Sequence, residues 1–210
     1  MKKNILITGS SRGIGEQLAY KFSPYSKLLI LCSTSKKDLN KVKLKISNSN
    51  VLRFECDLSS KDECFKLIKF CNEKKIDLLI NNAAIPCPGI ELKNIDINNI
   101  YKLLNVNLVA PILLSKFIIN LKGIINLNSI VGLEHKKFRS IYSASKWGLR
   151  GFSESYKLEL SYKILDVYIS RVKTSPLFNE GMEANEVAEK ILNAYKNDLS
   201  KIIIDGRPKN

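Results

Sequence analysis

Histidine is nearly absent from this chain of 210 residues; His135 is the only one. A single imidazole completes none of the familiar zinc sets, and the five cysteines do not supply one either. Cys32, Cys56, Cys64, Cys71 and Cys87 are odd in number and contain no C-x-x-C pair. The reading they favour is reduced, mostly buried thiols in an intracellular protein. Long hydrophobic runs are missing too: no apolar stretch reaches the length of a membrane span, so no membrane partner is expected. The start, Met1-Lys2-Lys3-Asn4, passes directly into a strand pattern without the apolar region and small-residue cleavage site of a signal peptide. A cytoplasmic location is the expectation. Acids are scarce beside bases, 20 against 34, giving a net charge of +14. Such a balance raises nucleic-acid binding. Here, however, the lysines are spread over every predicted helix and no nucleic-acid motif accompanies them, so no specific nucleic-acid partner is expected. Linkers, repeats and low-complexity tails are also lacking, and the length suits one domain over residues 1–210.

What is present centres on residues 129–146. Tyr142 and Lys146 are four apart at the start of a long helical pattern, so they share a helix face. An ammonium beside a phenol favours the phenolate and lowers the phenol's pKa from its reference of about 10. A phenol tuned toward neutrality can exchange a proton with a substrate oxygen. Ser129 ends an apolar run, where a hydroxyl can hold that same oxygen. Of the eight tyrosines only Tyr142 has a lysine at +4. In a lysine-rich chain that spacing arises readily by chance, so these residues need support from elsewhere.

The support comes from the chain taken in order. Residues 4–8 read as a buried strand, and the glycine-rich turn Gly9-Ser10-Ser11-Arg12-Gly13-Ile14-Gly15 separates it from a helix over 16–22. A strand, a glycine turn and a helix make a nucleotide-binding start. Gly9 permits the tight turn, Gly13 lets the backbone approach a diphosphate, and Gly15 allows close packing of helix and strand. The helix N-terminus then faces the phosphates. Further strands are predicted at 28–32, 51–55, 77–81, 123–130, 165–172 and 201–205. Helices are predicted at 37–46, 60–73, 96–105, 106–121, 142–162 and 183–197. Ser33-Thr34-Ser35 forms the turn and helix cap after the second strand. Asp57 follows the third strand, where it either caps the next helix or contacts an adenine. This alternation implies an α/β, Rossmann-type, doubly wound parallel sheet of about seven strands with helices on both faces. Ligands bind such sheets at the carboxyl ends of the strands, where the glycine turn, Asp57, Asn81 and Ser129 all fall.

These residues resemble the short-chain dehydrogenase/reductase family over essentially the whole chain. Residues 8–15 match its cofactor loop, Asn81-Asn82-Ala83 its Asn-Asn-Ala segment, and Asp57 its adenine-contacting acid. Asn107, Ser129, Tyr142 and Lys146 fall in order where the family's catalytic tetrad falls. The resemblance implies that Tyr142 gives a proton to a carbonyl oxygen that Ser129 also holds. It implies that Lys146 lowers the Tyr142 pKa and holds the nicotinamide ribose, and that Asn107 places a water linking Lys146 to solvent. The cofactor contacts it implies are Gly9, Ser11, Arg12, Gly13, Ile14, Gly15, Ser33, Thr34, Asp57, Leu58, Asn81, Ala83, Tyr142, Lys146 and Thr174. No metal is implied. The substrate it implies is a small carbonyl compound or the corresponding alcohol. The family commonly pairs through the helices after Asn107 and after Tyr142, so a homodimer or homotetramer is expected, with Gly148 and Gly151 admitting a partner helix.

The chain departs from the family pattern at Ala84, where the family has Gly, and at Ile169-Ser170, where it has Pro-Gly; Val172 and Thr174 are retained. The second departure borders the nicotinamide, which keeps open an alternative: a nucleotide-binding sensor or scaffold of the same fold. The short segment 175–185 occupies the usual place of a substrate lid, which suggests an open pocket. NADP(H) is expected over NAD(H), with NAD(H) possible. An NAD site places an acid at the end of the second strand, and here the strand ends in Cys32-Ser33-Thr34; the first acid afterwards is Asp38, inside a helix. Ser33, Thr34 and Arg12 can donate to the extra phosphate.

Overall fold

The computed structural model describes residues 2–47, 50–86, 89–174 and 180–207. Seven strands form one sheet: β1 (Lys3–Thr8), β2 (Ser26–Ser33), β3 (Val51–Glu55), β4 (Leu78–Asn81), β5 (Gly123–Ser129), β6 (Ile164–Ile169) and, last in the chain, β9 (Lys201–Ile204). Their order is β3-β2-β1-β4-β5-β6-β9 and every pairing is parallel. The order reverses between β1 and β4, which opens a crevice above their carboxyl ends. A two-residue ribbon, β7 (Val172–Lys173) with β8 (Met182–Glu183), stands apart from the sheet.

The inner strands are mostly apolar without alternation because both faces are covered, whereas the edge strands β3 and β9 alternate. Ile5, Ile7, Leu29, Leu31, Leu78, Ile80, Ile125 and Leu127 enter one core. It is closed by α1 (Gly13–Phe22), α2 (Lys36–Leu44) and α7 (Ala184–Lys196). The intervening Leu6, Ile30, Cys32, Leu79 and Ile124 enter the second core, under α3 (Lys61–Glu73) and α5 (Ala110–Phe117). A one-residue slip of any strand would exchange its two sets, so the alternation of the two cores fixes register. Each fully buried Leu or Ile contributes about 1.5–3 kcal/mol. Cys32, Cys56, Cys64 and Cys71 are buried and free, as expected; Cys87 lies outside the described residues.

Most predicted boundaries shift by one or two residues, and four differences have an identifiable cause. The first helix begins at Gly13 rather than 16, because Arg12 in extended conformation is its N-cap. The two helices expected over 96–121 form one continuous run: α4 (Ile97–Leu104), a π-helical turn Asn105–Val109, and α5, which ends at Phe117. Pro111 sits in the first turn of α5, where the wider turn before it takes up the break in hydrogen bonding. This run, Ile97–Phe117, is long and apolar enough by length and composition to cross a membrane, which corrects the sequence reading on that point. In this fold Val106, Ala110 and Leu114 pack in the second core. The long helix α6 spans Ser140–Tyr156 rather than 142–162, and a 3-10 turn Lys157–Glu159 follows. Lys157 reaches from that turn to the buried Asp166 on β6 at 2.5 Å, and Leu158 is exposed. The apolar spacing had continued past the real end. Finally, the strand expected over 165–172 leaves the sheet after Ile169. The Ser170 hydroxyl accepts from the Gly206 N–H at 2.6 Å, and the Arg171 carbonyl accepts from the Met182 N–H at 3.1 Å. The chain therefore turns into the small ribbon. The lid reading falls partly on residues 175–179, outside the described residues.

Candidate active site

At the carboxyl edge of the sheet lies an open cleft of about 1740 Å³. One end is the glycine turn. Gly9 has φ of +64°, a left-handed conformation that side chains disfavour. A Cβ on Gly15 would lie 2.1 Å from the Gly9 carbonyl oxygen, so only glycine lets α1 start this close to the β1 turn. The turn is fastened from β4. Thr8 Oγ1 accepts from the N–H groups of Asn82 and Ala83, and Asn82 Nδ2 donates to the carbonyls of Thr8 and Gly9 at 2.8 and 2.9 Å. Arg12 gives α1 no side-chain cap, so the helix's first N–H groups lack a side-chain acceptor and Gly13, Ile14 and Gly15 line the cleft.

Ser11, Arg12, Ser33, Thr34, Asp57, Leu58, Ala83 and Thr174 line the same cleft. Asp57 does not cap α3; Ser60 does, accepting from the Glu63 N–H. Burial pushes the Asp57 carboxyl up. Hydrogen bonds from the Ser59 N–H and hydroxyl, with the Lys102 charge, outweigh it and hold the group below its ordinary value. Past the end of β2, Asp38 is drawn into α2. It accepts from Lys41 at 2.7 Å and from the Ser35 hydroxyl at 2.9 Å, and both hold its carboxyl below the usual range. The end of β2 itself, Ser33 with Thr34 after it, contributes no carboxylate.

Ser129, Tyr142 and Lys146 line the other end. Ser129 terminates β5, and its Oγ accepts from the Val131 N–H at 3.2 Å. Lys146 is buried; its Nζ donates to the Leu127 carbonyl at 3.0 Å and lies 5.9 Å from the Tyr142 ring centre. Burial lowers its pKa from 10.5 to about 8. Asn128 steadies the pair: its Nδ2 donates to the Lys146 carbonyl at 3.1 Å and its Oδ1 accepts from the Ser129 N–H at 2.8 Å.

Two expected site residues do not reach the cleft. Asn81 turns into the sheet, where its Nδ2 donates to Asn126 Oδ1 at 2.8 Å. Asn126 continues through Ser153 to Asp166, a buried polar chain that ties α6 to the sheet. Asn107 is buried in the π-helical turn. Its Oδ1 accepts from the Ile85 N–H at 2.7 Å, and its Nδ2 donates to the Ile85 carbonyl at 3.0 Å. The side chain therefore clamps the segment after β4 instead of facing the cleft. Sequence reasoning missed the fastening roles of Asn82 and Asn128. The Asn-Asn-Ala motif contained the first; polar residues inside an apolar strand were the signal for the second.

The short chain dehydrogenase family model matches residues 3–186. The chain belongs to that family. It is an oxidoreductase of the short-chain type. The chain is 31% identical to the 3-oxoacyl-acyl-carrier-protein reductase FabG of Buchnera aphidicola over 211 residues, which cover 96% of this chain and 82% of that protein. It is also 31% identical to the 11-beta-hydroxysteroid dehydrogenase-like 2 protein of Arabidopsis thaliana, over 85% of this chain and 63% of the other. The fold matches an alcohol dehydrogenase from Thermococcus sibiricus, solved with 5-hydroxy-NADP, at TM-score 0.89, 21% identity and full coverage of both chains. A family matched over so much of the chain accounts for the glycine turn and the Tyr142–Lys146 pair occurring in one cleft.

Proposed function

We propose that the protein interconverts a small carbonyl compound and its alcohol, using NADP(H) in preference to NAD(H). The observation that carries this reading is a single cleft with the glycine turn at one end and Ser129, Tyr142 and Lys146 at the other. The cleft fits a dinucleotide with its substrate. Its volume exceeds the roughly 300–1,000 Å³ of an ordinary ligand pocket, and Gly13, Ile14 and Gly15 line it at the start of α1, where a diphosphate would meet the helix's first N–H groups. When bound, the nicotinamide supplies the hydride.

The chain's own residues supply position and the proton. Ser129 Oγ holds the carbonyl oxygen, and the Tyr142 hydroxyl gives it a proton. Lys146, its charge fixed against the Leu127 carbonyl, favours the phenolate that remains. Asn107 acts as a positioning residue by holding the segment that forms one wall. The Ser33–Thr34 end of β2, the engagement of Asp38 by Ser35 and Lys41 and the exposed Arg12 support the NADP(H) preference, since β2 ends in hydroxyl donors rather than in a carboxylate. Ile169-Ser170, where the family has Pro-Gly, favours a second reading, a nucleotide-binding protein without turnover.

A panel of aldehydes and ketones tests both, with NADPH and NADH followed by absorbance. Oxidation of NADPH with at least one carbonyl compound, faster than of NADH, is expected. Tight NADPH binding without oxidation across the whole panel would replace the first reading by the second.

A further inference from the structure

The cleft is more basic than hydride transfer requires. Seven basic side chains line it against three acidic ones. Most have an internal explanation. Arg171 pairs with Glu180 at 2.6 Å and Arg207 with Glu134 at 2.9 Å. Lys102 lies close enough to Asp57 to act on its charge. Lys146 is buried beside Tyr142, and Arg12 belongs to the glycine turn. Lys136 and Arg139 are left. Among the described residues neither has an ion pair or a side-chain hydrogen bond, yet both line the cleft in the connection between Ser129 and Tyr142.

The backbone builds this placement. Phe138 sits at φ of +64°, a strained conformation for a bulky residue. Its carbonyl accepts from the Ile90 N–H at 3.0 Å, which ties the turn to another segment that lines the cleft. The turn sorts the three basic residues around it. Lys136 and Arg139 line the cleft, whereas Lys137 does not and lays its Nζ over the Phe138 ring at 4.7 Å. Arg139 is half-buried only three residues before Tyr142, and no acid stands in the first turn of α6 to neutralise it. Of the acids that line the cleft, Asp96 caps α4 through the Asn98 N–H and Glu180 is held by Arg171, so neither competes.

We infer that the substrate carries an anionic group beside its reacting carbonyl, and that Arg139, assisted by Lys136, binds this anion at the mouth of the cleft. The inference rests on the carbonyl-reductase reading and narrows its substrate class to carbonyl compounds bearing a carboxylate or similar anion. The anion takes no part in bond making. A guanidinium matches a carboxylate with two parallel donors, so it fixes the distance between anion and carbonyl as well as adding affinity.

The test compares a series of keto carboxylates of increasing carbonyl-to-carboxylate spacing with their methyl esters, as substrates with NADPH. Wild type favours the acid over the ester by about ten- to a hundredfold in kcat/KM at one spacing, the worth of one charged hydrogen bond. The preference shrinks with added salt. R139Q and K136Q collapse the ratio through KM for the acid, R139K restores part of it, and K137Q leaves it at the wild-type value. Equal rates for acid and ester, or an unchanged ratio in R139Q, overturn the inference. A thermal-shift titration of the NADPH complex with the same acids and esters separates the two readings. If nothing is turned over but acids stabilise wild type and not R139Q, the anion site stands and the reductase reading falls. If acids stabilise neither protein more than esters do and nothing is turned over, both fall.

Discussion

Lys146→Met replaces a buried ammonium by an apolar side chain of similar length, and its effect on stability should depend on pH in a defined direction. Burial depresses the folded-state pKa of Lys146 from 10.5 to about 8. Below about pH 8 the group is charged in both folded and unfolded chains, and the folded state bears the full cost of the buried charge. Between about pH 8 and 10.5 the unfolded chain keeps a proton that the folded chain has released. Raising the pH therefore increases the contribution of Lys146 to stability across that window. A shift of about 2.5 units corresponds to roughly 3 kcal/mol in all, of which about 2 kcal/mol develops between about pH 8 and 9.5. The Met variant lacks this rise. It also leaves the Leu127 carbonyl without its donor, at a cost of about 1–3 kcal/mol that does not vary with pH. The assay is urea unfolding of cofactor-free protein at intervals from about pH 7 to 9.5, with the variant subtracted from wild type. The subtraction is needed because burial raises the thiols of Cys64 and Cys71 to about 12, so their titration opposes that of Lys146 within the same window, and stopping at about pH 9.5 limits the similar effect of Tyr168, also raised by burial to about 12. Wild type should gain on the variant by about 2 kcal/mol. A difference that stays flat with pH would show that Lys146 titrates normally in the fold, and the account of the cleft's electrostatics would be refuted.

Tyr142→Phe should abolish turnover while cofactor affinity and melting temperature stay close to wild type, since one hydroxyl is lost and the ring remains; a variant with most of the wild-type rate would exclude Tyr142 as the proton donor. Arg12→Ala should weaken NADPH by about 1.5–3 kcal/mol and NADH much less, and equal losses in fluorescence titrations would remove Arg12 from the phosphate site. Gly15→Ala places a Cβ 2.1 Å from the Gly9 carbonyl oxygen, so a loss of at least about 1–3 kcal/mol in urea unfolding is expected together with loss of cofactor binding; a normally stable, cofactor-binding variant would contradict the described turn. A homo-oligomer is expected from the exposed Ile97, Tyr101, Val109 and Trp147 on α4–α6 and from Gly151, which has open space beside it, and a monomeric mass by light scattering at micromolar concentration would refute it. Gly148 does not belong to that surface, because a Cβ there would meet Leu108 of the same chain at 2.9 Å.

The order of elements was legible in the chain because each strand is a short apolar run closed by a turn residue, and each helix shows its own spacing. Local chemistry also marked the glycine turn: Gly9 and Gly15 are demanded by backbone conformation and contact, which no other residue type meets. Ser129, Tyr142 and Lys146 were legible for a related reason, since helical spacing fixes two of them on one face and a strand end fixes the third. What the sequence could not show depends on which side chains meet across the fold. Asn81 and Asn82 are neighbours with the same side chain, yet one enters the sheet to meet Asn126 and the other fastens the glycine turn. Asn107 matched a catalytic position but is directed by the π-helical turn toward Ile85. The three basic residues around Phe138 look equivalent in sequence, and only the left-handed turn there separates the two that line the cleft from the one that does not. Spacing determines which residues share a face of their own element. The packing of one element on another decides what that face meets, because a side chain's partners, burial and charge environment come mostly from residues distant in the chain.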